Sequence, residues 1–137
     1  MRFFVEGKPV GKERPRFNAR TRTTYTPSKT KQFEKLVATE CAAHMLEHKY
    51  RKFETPCLVN IDVSVGIPKS YSKKKRENCY LGIEKPVKKP DIDNIAKSVL
   101  DGLNGVAYED DKQVVGLTIN KYWGYIDGVY VEIIEDE

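Results

Sequence analysis

No run in this chain approaches the ~18 consecutive apolar residues that a membrane-spanning helix needs. The opening MRFFVEGKPV turns polar within a few residues, so the longer apolar core of a secretory signal is missing. A cytoplasmic protein with no membrane partner is expected. Cysteine is scarce: Cys41, Cys57 and Cys79 are widely spaced, and no CxxC pair suggests a zinc or redox site. They read as buried or incidental thiols. Histidine is scarcer still. His44 and His48 stand four apart, but no HExxH pattern or nearby carboxylate makes them a metal pair. There is no internal repeat, low-complexity tract or linker. At 137 residues, with 39% hydrophobic content, the chain is expected to form one domain over residues 1–137.

What the chain has is charge, unevenly placed. Residues 1–90 hold 21 Lys and Arg against 9 Asp and Glu; residues 91–137 hold 3 against 11. A basic portion followed by an acidic one suits a surface that grips a polyanion and holds a cation beside it. Two differently charged solvated faces are the bland alternative.

Periodicity supplies the elements. Residues 2–7 read as a short strand. Residues 8–26, basic and carrying Pro9 and Pro15, read as a long loop. Thr26-Pro27 has the form of a helix start, with threonine as cap and proline in the first turn. Phe33, Val37, Cys41 and His44 then recur at helical spacing and predict a helix over about 28–49. In residues 57–67 the apolar side chains alternate with Asn60, Asp62 and Ser64, which predicts a half-buried strand. A short helix is allowed around 70–80. Ile92, Ile95, Ala96, Val99 and Leu103 form one stripe, predicting a helix over about 91–103 with Ile92 in the core. Residues 113–123 and 128–134 read as strands, joined by a tight hairpin signal at Asp127-Gly128. The expected class is α+β: a mixed β-sheet with helices packed on one face, in the order β-α-β-(α)-α-β-β.

The densest chemistry is PDIDNIAKSVLDGLNGVAYEDDKQ, from Pro90 to Gln113. With Asp91 as the helix cap and Asp93 in the first turn, two carboxylates can converge above the helix start. Asp110 and Asp111 follow one helix and one turn later, where the returning chain can bring them to the same point. Phosphodiester hydrolysis needs an activated water, a neutralised phosphate and a stabilised leaving group. One or two Mg²⁺ ions supply all three, and they favour carboxylate oxygens plus waters. Lys97 and Asp101 continue the face of Asp93 at four-residue steps. A lysine there can steady developing charge on a phosphate. The alternatives are ordinary: an N-cap, a surface ion-pair ladder and a turn. An EF-hand reading fails, because Ala96 stands where glycine is needed and Gly102 where glutamate is needed.

Two basic segments precede the acidic one. GKPVGKERPRFNARTR carries Lys8, Lys12, Arg14 and Arg16 around Phe17, and Lys73, Lys74, Lys75 and Arg76 form a second run beside Tyr71. Both are candidates for contact with the DNA backbone. Phe17 can stack on a base, wedge a junction or belong to the core.

KPDIDNIAK followed by LDGLNGVAYEDDKQV, with GKPVGKERPRF and IPKSYSKKKR upstream, resembles the RusA family of Holliday junction resolvases over nearly the whole chain. The resemblance implies a homodimer that makes paired symmetrical nicks in branched DNA, a four-way junction, with Mg²⁺ as cofactor, Mn²⁺ able to substitute, and no small-molecule cofactor. It implies that Asp91, Asp93 and Asp111 are catalytic metal ligands and Lys97 the catalytic lysine. Asp110 and Asp101 also match acidic positions, with Asp110 a further metal candidate. Two rival readings remain. Pro90-Asp91 with Asp110-x-Lys112 satisfies a PD-(D/E)xK nuclease pattern, which would make Lys112 catalytic. A non-catalytic DNA-binding module would use the basic segments and leave the aspartates idle.

Overall fold

The computed structural model describes residues 1–13, 16–25 and 27–136. The elements run β1 (Arg2–Glu6), β2 (Arg16–Asn18), β3 (Thr23–Tyr25), α1 (Ser28–His48), β4 (Cys57–Gly66), α2 (Lys73–Tyr80), α3 (Ile92–Leu103), a short helical turn at Asp111–Gln113, β5 (Val114–Gly124) and β6 (Gly128–Glu135). Strands β1, β6, β4 and β5 lie in that order in one mixed sheet, with β4 parallel to β5 and antiparallel to β6.

Alternation decides which sheet face is buried. Val59, Ile61, Val63 and Val65 of β4 point to one side, together with Phe3 and Val5 of β1 and Val129, Val131 and Ile133 of β6. Helices α1 and α3 complete this core. Helix α1 presents Phe33, Val37, Cys41 and Met45 at helical spacing, and α3 presents Ile95, Val99 and Leu103. Full burial of each such side chain contributes about 1.5–3 kcal/mol against exposure. Helix α1 ends where Lys49 adopts a left-handed conformation (φ 59°) and its N–H donates to the Met45 carbonyl.

The mixed sheet, the two long helices and the optional short helix match the expectation, and three details differ. Residues 8–26 hold a small antiparallel hairpin, β2 on β3. Its strands are three residues long and lack an apolar alternation, so periodicity does not reveal it. Pro27 occupies the cap position of α1 and makes no side-chain cap bond; Thr26, the expected cap, lies outside the described residues. Ile92 is exposed at 41%, because the buried stripe of α3 begins one turn later, at Ile95.

The largest correction concerns Asp127-Gly128. Strands β5 and β6 do not pair with each other; β4 lies between them. Partners in a hairpin are ~4.8 Å apart, and strands separated by a third need about 10 Å. From Gly124 to Gly128 the chain spans about 13 Å at full stretch, enough to cross the end of β4. The crossing is fastened to β4: the Gly66 N–H donates to Asp127 Oδ1 at 2.7 Å, and Ser64 Oγ donates to the Ile126 carbonyl at 2.6 Å.

Two outcomes follow from the packing. A Cβ at Gly102 would lie 2.8 Å from the Glu34 carbonyl oxygen and 2.9 Å from Val37 Cβ, where α3 crosses α1. Gly102→Ala is expected to cost about 1–3 kcal/mol through overpacking, more than the ~1 kcal/mol alanine gains over glycine in a helix. A denaturant midpoint unchanged or raised would show that the helices separate easily. The thiols are buried, and burial pushes Cys41 up to about 12 and raises Cys57. A disulfide-exchange reagent at about pH 8 is expected to titrate none of the three thiols in the native chain and all of them after denaturation.

Candidate metal and nucleic-acid site

The site is built on the exposed end and side of α3. Asp91 sits at the N-cap with extended backbone (φ −74°, ψ 142°), but its side chain makes no capping bond; only its carbonyl accepts, from the Ile95 N–H at 3.0 Å. A capping bond at this position contributes ~1 kcal/mol in most helices. Here the carboxylate is left uncommitted among the described residues. Asp93, in the first turn, is exposed and likewise has no hydrogen-bond or ion-pair partner among them.

Burial of Ile95, Val99 and Leu103 fixes the rotation of α3 and turns Asp93, Lys97 and Asp101 outward. Lys97 Nζ lies 3.1 Å from Asp101 Oδ1 and 3.6 Å from Asp111 Oδ2. It therefore bridges the helix to the short turn that opens β5. The same turn explains Asp110. Its Oδ2 accepts the Lys112 N–H at 2.9 Å, while the Gln113 side chain receives the N–H groups of Glu109 and Asp110. Asp110 is a cap, with one oxygen committed to the backbone. Lys112 is exposed and has no carboxylate partner among the described residues, and β5 begins only after it, at Val114.

Asp101 Oδ2 faces another cation: Lys12 Nζ lies 3.1 Å from it and 2.6 Å from Glu34 Oε1. Burial opposes the charge on Lys12, yet hydrogen bonds to Glu34 and Asp101 overcome it and raise its pKa. For Lys97 the hydrogen bond to Asp101 raises the pKa against partial burial, and the Asp111 charge adds to it. Both ammonium groups stay charged at neutral pH. Because their folded-state values lie above the ordinary lysine value, this contribution is complete below about pH 10 and lost only at higher pH.

The other basic candidates are spread around this centre. Lys8 lines a groove of about 450 Å³ with Lys29, Lys89, Pro90 and Asp91. Through Lys8, Pro9, Lys89 and Pro90 the groove continues into a hollow of about 420 Å³ that Lys88 also reaches. Lys121 Nζ donates to the carbonyls of Lys88 (2.7 Å) and Pro90 (3.1 Å), holding the segment before Asp91 against β5. Arg16 begins β2 and lies 3.5 Å from Glu13, and Phe17 is exposed at 62%, so it is not a core residue. Arg14 lies outside the described residues. Lys73, Lys74, Lys75 and Arg76 form the first turn of α2, where Lys75 sits 4.2 Å above the Tyr71 ring and 3.5 Å from Glu84.

Sequence reading missed Lys29, Lys88, Lys89, Lys121 and Glu34. The lysines carry no signal beyond charge, and Glu34 reaches the site only because α1 crosses α3. For a hard divalent cation the donor chemistry fits: among the described residues Asp91 and Asp93 are uncommitted, and Asp111 pairs only with Lys97. Among the described residues, however, no three metal-ligating side chains converge as they stand. Mg²⁺ tolerates this, since it keeps several waters and takes one or two carboxylates plus substrate phosphate.

Among the described residues no helix is long and apolar enough to cross a membrane. Among known proteins, the uncharacterized protein YqaN of Bacillus subtilis (strain 168) is 37% identical over 139 residues, covering 98% of this chain and 96% of its own length. The family model for endodeoxyribonuclease RusA matches residues 6–134. With nearly the whole chain inside that match, this protein belongs to the RusA family of DNA endonucleases.

Proposed function

We propose that this protein is a magnesium-dependent endonuclease that resolves four-way DNA junctions by paired symmetrical cuts, acting as a homodimer. The observation that carries the reading is the position of Lys97. Its ammonium spans the helix bearing Asp91 and Asp93 and the turn bearing Asp111, with 3.6 Å to Asp111 Oδ2. In this reading Asp91, Asp93 and Asp111 hold the cation, with the second oxygen of Asp110 in reserve. The bound ion supplies an activated water and neutralises the phosphate. Lys97 stays protonated and directs positive charge at the scissile phosphate, stabilising charge that grows toward the transition state. Lys8, Lys29, Lys88 and Lys89 hold the DNA backbone along the groove that leads to Asp91, contacts that position the strand without reading its bases.

Two scissile strands call for two copies of the site related by a two-fold axis. The sheet face away from the helices supports a place for the second copy. It carries Phe4, Tyr122, Tyr130 and Ile134, the last three exposed at 42%, 40% and 42%. Arg2 lies over Tyr130, 5.1 Å from the ring centroid, and Asp62 and Glu132 share the face. A surface holding both charge signs around an apolar centre can meet its own copy favourably.

Cleavage of a synthetic four-way junction and of a linear duplex, with Mg²⁺ or EDTA, tests the activity. Symmetrical nicks in the junction alone are expected, abolished by EDTA and by Asp93→Asn. Lys97→Met is expected to lower the single-turnover rate about 10²–10³-fold, and Lys112→Met to leave it unchanged. The reverse pattern would support the Lys112 reading. Binding without cleavage under every metal condition would leave the non-catalytic module. Light scattering is expected to give a dimer for the wild type and a monomer for Tyr130→Glu with Ile134→Glu. A dimeric mass for that variant would move the interface elsewhere.

A further inference from the structure

Lys12 lies in the basic N-terminal segment, where a phosphate contact is the natural expectation. Its surroundings point elsewhere. The backbone of residues 10–12 is fastened to α3: the Lys12 N–H donates to the Asn94 carbonyl at 2.8 Å, and Ser98 Oγ donates to the Val10 carbonyl at 2.7 Å. Gly11 allows this approach, since a Cβ there would lie 2.9 Å from Asn94 Cβ. The lysine side chain leaves this anchor and ends between two carboxylates, Glu34 and Asp101, only 21% exposed.

We propose that Lys12 is a positioning residue: by holding Asp101 Oδ2 it fixes the carboxylate that in turn aims Lys97 at Asp111. This rests on the function proposed above. Asp101 has two oxygens and divides them, Oδ1 to Lys97 and Oδ2 to Lys12. Remove Lys12, and Asp101 can rotate and place both oxygens on Lys97, drawing that ammonium away from Asp111. A direct phosphate role fits poorly. Lys12 borders the groove of Lys8 and Lys29, but its ammonium is already held by Glu34 and by the Asp101 carboxylate it shares with Lys97, so a phosphate would have to displace both contacts. Glu34 gives the arrangement its rigidity. It comes from α1, so the crossing of α1 over α3 is tied to the direction of Lys97.

Binding and chemistry separate the two roles. Junction affinity is measured over a salt series without Mg²⁺, and single-turnover cleavage at saturating protein with Mg²⁺. For Lys12→Met the cleavage rate is expected to fall at least tenfold, while affinity stays within twofold and the salt slope is unchanged. A phosphate contact would instead lower the slope by about one and leave the saturated rate intact, which would overturn the proposal. Should Lys12→Met not fold, as judged by its melt, Glu34→Gln is the second variant. A reduced rate without tighter binding is expected; tighter binding, from a lysine released toward DNA, would overturn the proposal. The ¹⁵N–¹H signals of the lysine ammonium groups give a readout independent of cleavage. The Lys97 signal, assigned by its loss in Lys97→Met, is expected in the wild type and expected to broaden in Lys12→Met. Its persistence would sink the positioning role even if the wild type cut no DNA, a result that would separately end the reading as a nuclease.

Discussion

Burial of one stripe of α3 is the constraint on which the candidate site depends. Ile95, Val99 and Leu103 are fully inaccessible, locked between the sheet and α1. A helix carries its residues at fixed angles around its axis, so burying that stripe also sets where Asp93, Lys97 and Asp101 point. Gly102 lets α1 come close enough for Glu34 to reach the same region. The core therefore positions the candidate site. The first turn of α3, with Asp91, Ile92 and Asp93, extends beyond the buried stripe and stays exposed to a ligand.

The charged residues near this helix divide into two groups. Asp101, Asp110 and Glu34 are committed: to two lysines, to a backbone N–H and to Lys12. They hold architecture. Asp91 and Asp93 are exposed and uncommitted among the described residues, so they keep their capacity to bind a cation. Lys97 stands between the groups, paired to Asp101 on one side and approaching Asp111 on the other. Carboxylates so crowded repel one another unless cations intervene. Lys12 and Lys97 meet part of that demand from within the chain.

Much of this was legible in the residues. The alternation in β4 and the stripes of α1 and α3 reflect burial on one face, which leaves a periodic trace in any helix or strand. The acidic elements stood out because five aspartates gather between Asp91 and Asp111, directly after a strongly basic portion of the chain. The β2–β3 hairpin was hidden because its three-residue strands bury no face and leave no such trace. Asp127-Gly128 was misread for a different reason. A turn signal describes four or five residues and is silent about what lies between the arms that leave it.

By itself, then, the sequence determined the class of fold, the helix carrying the candidate site and which carboxylates and lysine are candidates for its chemistry, because these depend on local periodicity and side-chain type. Tertiary structure decided the rest. It put β4 between β5 and β6, brought Lys8 and Lys29 to the groove beside Asp91, and closed Lys12 between Glu34 and Asp101. Each of these joins residues far apart in the chain, and such contacts are set by how the elements pack.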